Sequence, residues 1–153
     1  MVRKMLTELR AITEENFIDA FDLKLVPGQE KFVSHPIRSL AQAYVYRDQC
    51  QPFGIYAEGK MIGYVMVIYD YDVPEYDIWH MMIDGSMQGR GYGSDALDRV
   101  IEYIRTKPFG DSDRVALTCS KSNPAAEKLY ESKGFSVTGV EDEDEIELVL
   151  MIS

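Results

Sequence analysis

At 153 residues, with 46% hydrophobic and 27% charged side chains, the chain fits one globular domain over residues 1–153 and is too apolar for disorder. A formal charge of −10 disfavours nucleic acid and anionic membranes as partners and attracts cations, although acidity also serves solubility, and both readings stand. No apolar run nears the ~18 residues of a membrane span, and the charged start MVRKMLTELRAITEENF lacks the apolar heart of a signal peptide. Cys50 and Cys119 have no metal-ligand spacing and are too few for a disulfide framework, so a reduced, cytoplasmic, metal-free protein is expected.

Lys4 to Ile12 alternates loosely and suggests a first strand. Thr13 then caps a predicted helix whose apolar positions are Phe17, Ile18, Phe21 and Leu25, stopped by Pro27-Gly28. A loop with Gln29, Phe32 and Val33 leads to a second helix beginning near Ser39. FGIYAEGKMIGYVMVIYD reads as a hairpin turning at Glu58-Gly59-Lys60. After the acidic, aromatic loop DYDVPEYD, the run IWHMMI is a short strand covered on both faces.

A turn with Gly89, Gly91 and Gly93 opens the next helix, whose buried stripe is Leu97, Val100, Ile101 and Ile104. RVALTC is another buried strand, Asn123-Pro124 starts a helix, and Gly134 ends it. Phe135 to Val140 and Ile146 to Ile152 are two strands around the acidic turn EDEDE. The order β-α-α-β-β-β-α-β-α-β-β indicates an α/β protein built on a mixed sheet.

Strand, glycine turn and helix together form an anion site, because the first-turn N–H groups and the helix dipole hold phosphate without a cationic side chain. A Walker loop has no match here, and a G-x-G-x-x-G fingerprint fails because the sixth position from Gly89 is Ser94. The pattern that fits is Gln88-Gly89-Arg90-Gly91-Tyr92-Gly93, which resembles the pyrophosphate-binding turn of the GNAT superfamily of N-acetyltransferases. Asn123, Ala126, Leu129, Tyr130, Gly134 and Phe135 fall where that resemblance requires them.

The resemblance implies a splayed sheet flanked by helices on both faces, with acetyl-CoA as co-substrate. Its pantetheine arm would pair with the strand before the turn, through Met81, Met82 and Ile83. Gln88, Gly89, Arg90, Gly91, Tyr92, Gly93 and Ser94 would hold the diphosphate, with Asn123 as a further contact. Acetyl would pass directly to an amine, and Tyr130 would protonate the departing thiolate. Relatives often place a Glu base on the strand before the turn, where this chain has Trp79 and His80. His80 has a reference pKa of ~6.5, suited to a base near neutrality; Glu75 and Asp77 are alternatives acting through water, and an amine deprotonated in solvent would need none.

PGQEKFVSHPIRSLAQAY further resembles bacterial spermine/spermidine acetyltransferases, which implies that Gln29, Phe32, Val33, Ser39 and Leu40 wall an acceptor site. A polyamine needs carboxylates among apolar and aromatic surface. DYDVPEYD offers Asp70, Asp72, Glu75 and Asp77 among Tyr69, Tyr71 and Tyr76, although a solvated loop fits the same residues. The expected substrate is thus a small cationic amine, spermidine or spermine first; a peptide α-amine, an amino acid or an aminoglycoside is the alternative acceptor. A non-catalytic acyl-CoA sensor is the competing class. Dimers are common among such relatives, so a homodimer through the late strands is compatible.

Overall fold

The computed structural model describes residues 5–152, so Lys4, the expected start of the first strand, lies outside the described residues. The chain forms β1 (Glu8–Ala11), α1 (Phe17–Phe21), α2 (Pro36–Val45), β2 (Cys50–Ala57), β3 (Lys60–Asp70) and β4 (Glu75–Ile83). Then follow α3 (Tyr92–Arg105), β5 (Arg114–Ser120), α4 (Pro124–Ser132), β6 (Ser136–Asp142) and β7 (Glu145–Met151). The seven strands make one sheet in the order β1-β2-β3-β4-β5-β7-β6. Every neighbouring pair is antiparallel except β4 and β5, which are parallel.

Helices cover both faces, as expected. The stripe of α3, with Leu97, Val100 and Ile104 fully buried, packs with Val65, Val67, Tyr76, Val115 and Leu148 on one side. α1 and α2 cover the other through Ala20 and Ala43, against Tyr64, Met66, Ile68 and Met82. Among the described residues no helix is long and apolar enough to cross a membrane.

Strands β2 and β4 run longer than the sequence reading, β2 from Cys50 and β4 from Glu75, and β3 reaches Asp70, so the expected loop DYDVPEYD is strand at both ends; two helix boundaries also differ. The first helix is only Phe17–Phe21, where periodicity carried it on to Leu25. Tertiary bonds take the next residues out of the helix: Lys24 N donates to Asp84 Oδ1 at 2.7 Å and Gly85 N to Lys24 O at 2.6 Å. The second helix starts at Pro36, ahead of Ser39, because His35 caps it: its Nδ1 accepts from Ile37 N at 3.1 Å.

The site depends on two irregularities in β4. The first is its brief pairing with β5, confined to Tyr76 with Val115 and Asp77 with Ala116. Beyond Asp77 the strands diverge, while β5 remains paired with β7 along its whole length. The second is a bulge at His80, whose φ of 59° is left-handed, opposite a register shift between Tyr64 and Met66. A bulge inserts one residue and so reverses which face the following residues occupy. Before it Tyr76 and Ile78 pack on the α3 side; after it Met81 and Ile83 do so, while Trp79 and Met82 pack on the α2 side.

Candidate active site

Where β4 and β5 part, a cleft of about 440 Å³ opens. Its walls are the β4 residues Ile78 and His80 to Ile83, the β5 residues Thr118 to Ser120, the glycine turn, and the first two turns of α4. β5 bonds to β7 on its far side, so the edge of β4 facing the cleft has main-chain groups with no strand opposite. An extended, amide-bearing ligand can take the place of that missing strand.

The glycine turn supplies the anion end. Gly89 and Gly91 have φ values of 77° and 85°, a conformation that disfavours side chains, and a Cβ on either would meet nothing within 4 Å. Both therefore present bare main chain to open space. Gly91 is the residue before α3 and gives its N-terminus no side-chain cap. The first N–H groups of α3 thus remain for a ligand. Asp95, one turn in, would compete with an anion there, but its Oδ2 faces away, accepting from Thr7 N at 2.8 Å and Thr7 Oγ1 at 2.6 Å.

Of the residues expected to hold the cofactor, Met81, Met82, Ile83, Gln88, Gly89, Gly91, Tyr92, Gly93 and Asn123 line the cleft. Arg90 and Ser94 do not; Arg90 is exposed beside the turn, where its charge can still meet a phosphate. Asn123 acts as the helix cap, its Oδ1 accepting from Ala126 N at 3.3 Å. Gln88 is fixed by donating to Ile83 O at 2.9 Å and by a reciprocal amide pair with Gln29, at 2.8 and 3.1 Å. Gln29 and Phe32 also line the cleft, so the α1–α2 loop closes one end of it.

Tyr130 lies in the wall on α4, its ring against Phe135 with centroids 5.9 Å apart. Its hydroxyl has no hydrogen-bond partner among the described residues. Burial, helped by the neighbouring Cys119, pushes its pKa up to about 12, so it stays protonated at any working pH. Thr118 and Cys119 were not foreseen as site residues; only the parting of β4 from β5 exposes them to the cleft.

A second groove of about 990 Å³ adjoins the cleft on the α2 side of the sheet. It is lined by Phe32, Val33, His35, Gln42, Trp79 and His80, with Glu30 and Glu145 as acids and Lys24, Lys31 and Arg38 as cations.

The acidic loop DYDVPEYD, expected beside the acceptor, belongs to the opposite end of β4. There Asp70 Oδ1 accepts from Asp72 N at 2.9 Å, and Tyr76 Oη donates to Gly110 O at 2.6 Å. Glu75, expected as a base and substrate contact, lines neither groove and is paired with Arg114 at 2.6 Å. Arg114 also reaches Glu147 at 3.5 Å, and among the described residues Asp77 has no ion pair. Asp77, expected in the same roles, also lines neither groove; it makes the last β4–β5 pair, one residue before Ile78 of the cleft wall, so any contact with the site runs through water. Burial, reinforced by Glu75, Asp70 and Glu147, pushes its carboxyl up to about 8.

Comparison with known proteins agrees with this architecture. The profile of the "Acetyltransferase (GNAT) family" matches residues 9–135. No curated protein matches the sequence. Among solved structures, the chain is similar to spermidine N-acetyltransferase from Vibrio cholerae in complex with CoA and spermine, at 19% identity over 97% of each chain and a TM-score of 0.77. It is similar to the ribosomal-protein-S18-alanine N-acetyltransferase from Escherichia coli at 19% identity, covering 97% of this chain and 95% of that one, with a TM-score of 0.72. A third likeness is to AAC(6')-Ib in complex with Parmomycin and acetyl-CoA, at 17% identity, 95% and 93% coverage and a TM-score of 0.77.

Proposed function

The chain belongs to the acetyltransferase (GNAT) family, with acetyl-CoA as its co-substrate, and from that premise we propose that it acetylates a primary amine by direct attack on the thioester. The observation that carries this reading is the open β4 edge leading from the bare glycine turn to the hydroxyl of Tyr130, which has no partner among the described residues. The diphosphate of the co-substrate sits on Gln88 to Gly93, and the pantetheine amides pair with Met81 and Ile83. The amine enters through the adjoining groove and attacks the acyl carbon. A C–N bond forms, the C–S bond breaks, and the sulfur keeps the electron pair.

Tyr130 stabilises the departing sulfur. A hydroxyl near pKa 12 cannot wholly surrender its proton to a thiolate of reference pKa ~8.5. It therefore donates a hydrogen bond, and transfers the proton only as solvent replaces it. Asp77, rather than the ion-paired Glu75, takes the proton of the amine through water, because burial makes its carboxylate a stronger base than an ordinary one once it ionises at mildly alkaline pH.

The sign of the pH dependence follows. Below about 8 the Asp77 carboxyl is protonated and cannot accept; above it the carboxylate can. Turnover is expected to climb with pH through that range, and Asp77→Asn should flatten the climb while cutting kcat ~10²-fold. A pH–rate profile that keeps its limb in the variant would remove Asp77 from this role.

Spermidine or spermine as acceptor is supported by the similarity to the Vibrio cholerae enzyme and by Glu30 and Glu145 in the groove. Lys24, Lys31 and Arg38 in the same walls favour a second reading, an amine that also bears oxygen or anionic groups, such as a peptide α-amine, an amino acid or an aminoglycoside. Acetyl-dependent thiol release with spermidine, spermine, putrescine, an aminoglycoside and a short peptide separates the two. Polyamine turnover without peptide turnover supports the first, and the reverse ends it. No release with any amine would count against transfer itself.

A further inference from the structure

The acyl carbon has to be reached from both grooves, so transfer takes place where they meet. The residues common to both linings are Leu25, Phe32, Val33, Ile78, His80 and Thr118. Only His80 and Thr118 among these carry a polar side-chain group. His80 is there because of its left-handed backbone, which costs a non-glycine residue roughly 1–2 kcal/mol and turns the ring toward α2 beside Trp79, with centroids 5.5 Å apart.

The ring is bonded inward. His80 Nδ1 lies 2.7 Å from Ser39 Oγ, and Ser39 Oγ lies 2.8 Å from the hydroxyl of Tyr64. Ser39 and Tyr64 are both 0% exposed, so each proton in this chain must be accounted for within the protein. Tyr64 has Ser39 as its partner and must donate to it, since a buried O–H without an acceptor costs about 1–3 kcal/mol. The proton of Ser39 then has two destinations, His80 Nδ1 at 2.7 Å or Met66 Sδ at 4.0 Å. A thioether is a weak acceptor, so the hydroxyl donates to Nδ1. A nitrogen that accepts carries no proton, and the proton of the neutral ring stands on Nε2. Burial, with the Arg38 guanidinium, lowers the His80 pKa and keeps the ring neutral. Nε2 has no partner among the described residues.

We propose that His80 serves acetyl transfer as a neutral hydrogen-bond donor to the thioester oxygen, its Nε2–H held outward by the Tyr64–Ser39 chain, and that it is not the base. The inference rests on the acetyl-transfer reading above. As the amine attacks, negative charge grows on the carbonyl oxygen, and a fixed donor at that point costs no reorganisation. Ser39 and Tyr64 are positioning residues: they fix the tautomer and touch no substrate.

The test begins with the ligand-free wild-type protein labelled with 15N-histidine. The chain has two histidines, so the two-bond 1H–15N spectrum reads directly which ring nitrogen of each carries the proton. His35 provides a reference, since its Nδ1 accepts from Ile37 N and its Nε2 faces Leu23 O at 3.2 Å. His80 should show the proton on Nε2; a proton on Nδ1 overturns the proposal, and no variant has to fold for that result.

Ser39→Ala should move the His80 proton partly to Nδ1, leave His35 unchanged, and lower kcat ~10-fold with an unaltered KM for acetyl-CoA. His80→Gln, whose amide nitrogen reaches where Nε2 stood, should keep more than roughly a tenth of kcat. His80→Asn, whose amide reaches only Ser39, should lose ~10²-fold. Equal losses in the Gln and Asn variants would overturn the donor role in favour of a base. Absence of CoA binding to the wild-type protein would instead overturn the transfer reading, and the tautomer spectrum keeps the two failures apart.

Discussion

Tyr130→Phe is expected to lower kcat ~10²-fold, within the range found for groups that assist proton transfer, while the dissociation constant of CoA changes by less than about 2-fold. The ring packs on Phe135 and stays in place without the hydroxyl, so shape and burial are preserved. Only the donor to sulfur is lost. An interaction made chiefly as the thiolate departs lowers kcat and kcat/KM together and spares ground-state binding. Stopped-flow thiol release and calorimetry with CoA measure the two quantities separately. Unaltered turnover would take the leaving-group role from Tyr130 and favour a module that binds acyl-CoA without needing a proton donor.

Gly91→Val should weaken CoA binding ~10²-fold, equivalent to about 2.8 kcal/mol. Two effects add. Gly91 holds φ at 85°, where a β-branched side chain is strongly disfavoured, so the turn relaxes away from the geometry that aims its N–H groups. The space beyond its Cα is open, and that is where the diphosphate must approach. Gly139→Val is the matched control: Gly139 has a φ of 92° and open space around it, but lies in β6, away from the cleft. It should lower the thermal midpoint without changing CoA affinity. Wild-type affinity in Gly91→Val, measured by calorimetry, would remove the diphosphate from the turn.

Much of the site was legible in the sequence because its chemistry is local. The glycine turn, the uncapped start of α3 and the Asn123-Pro124 cap each occupy a few consecutive residues, whose backbone preferences hold whatever surrounds them. The hairpin at Glu58-Gly59 is of the same kind, with φ values of 51° and 78° giving a two-residue turn. The α3 stripe needed only helical periodicity.

What the sequence could not decide are the features made by two distant segments at once. Helix α1 stops at Phe21 because Asp84, sixty positions on from Lys24, takes that residue's N–H. The acidic loop was a fair candidate for a cation site by composition, yet it folds to the far end of β4 from the glycine turn. Glu75 and Asp77 look equivalent in DYDVPEYD. Arg114, on a neighbouring strand, neutralises the first and leaves the second to be pushed upward by burial.

The bulge matters most. Strict alternation along IWHMMI would place His80 on the α3 side, but the left-handed turn at that residue reverses the faces and brings its ring to Ser39. Short-range backbone preferences thus determined where an anion binds and where the helices begin. Burial, ion pairing and the register of neighbouring strands, which act only when remote residues meet, decided which side chains do the chemistry.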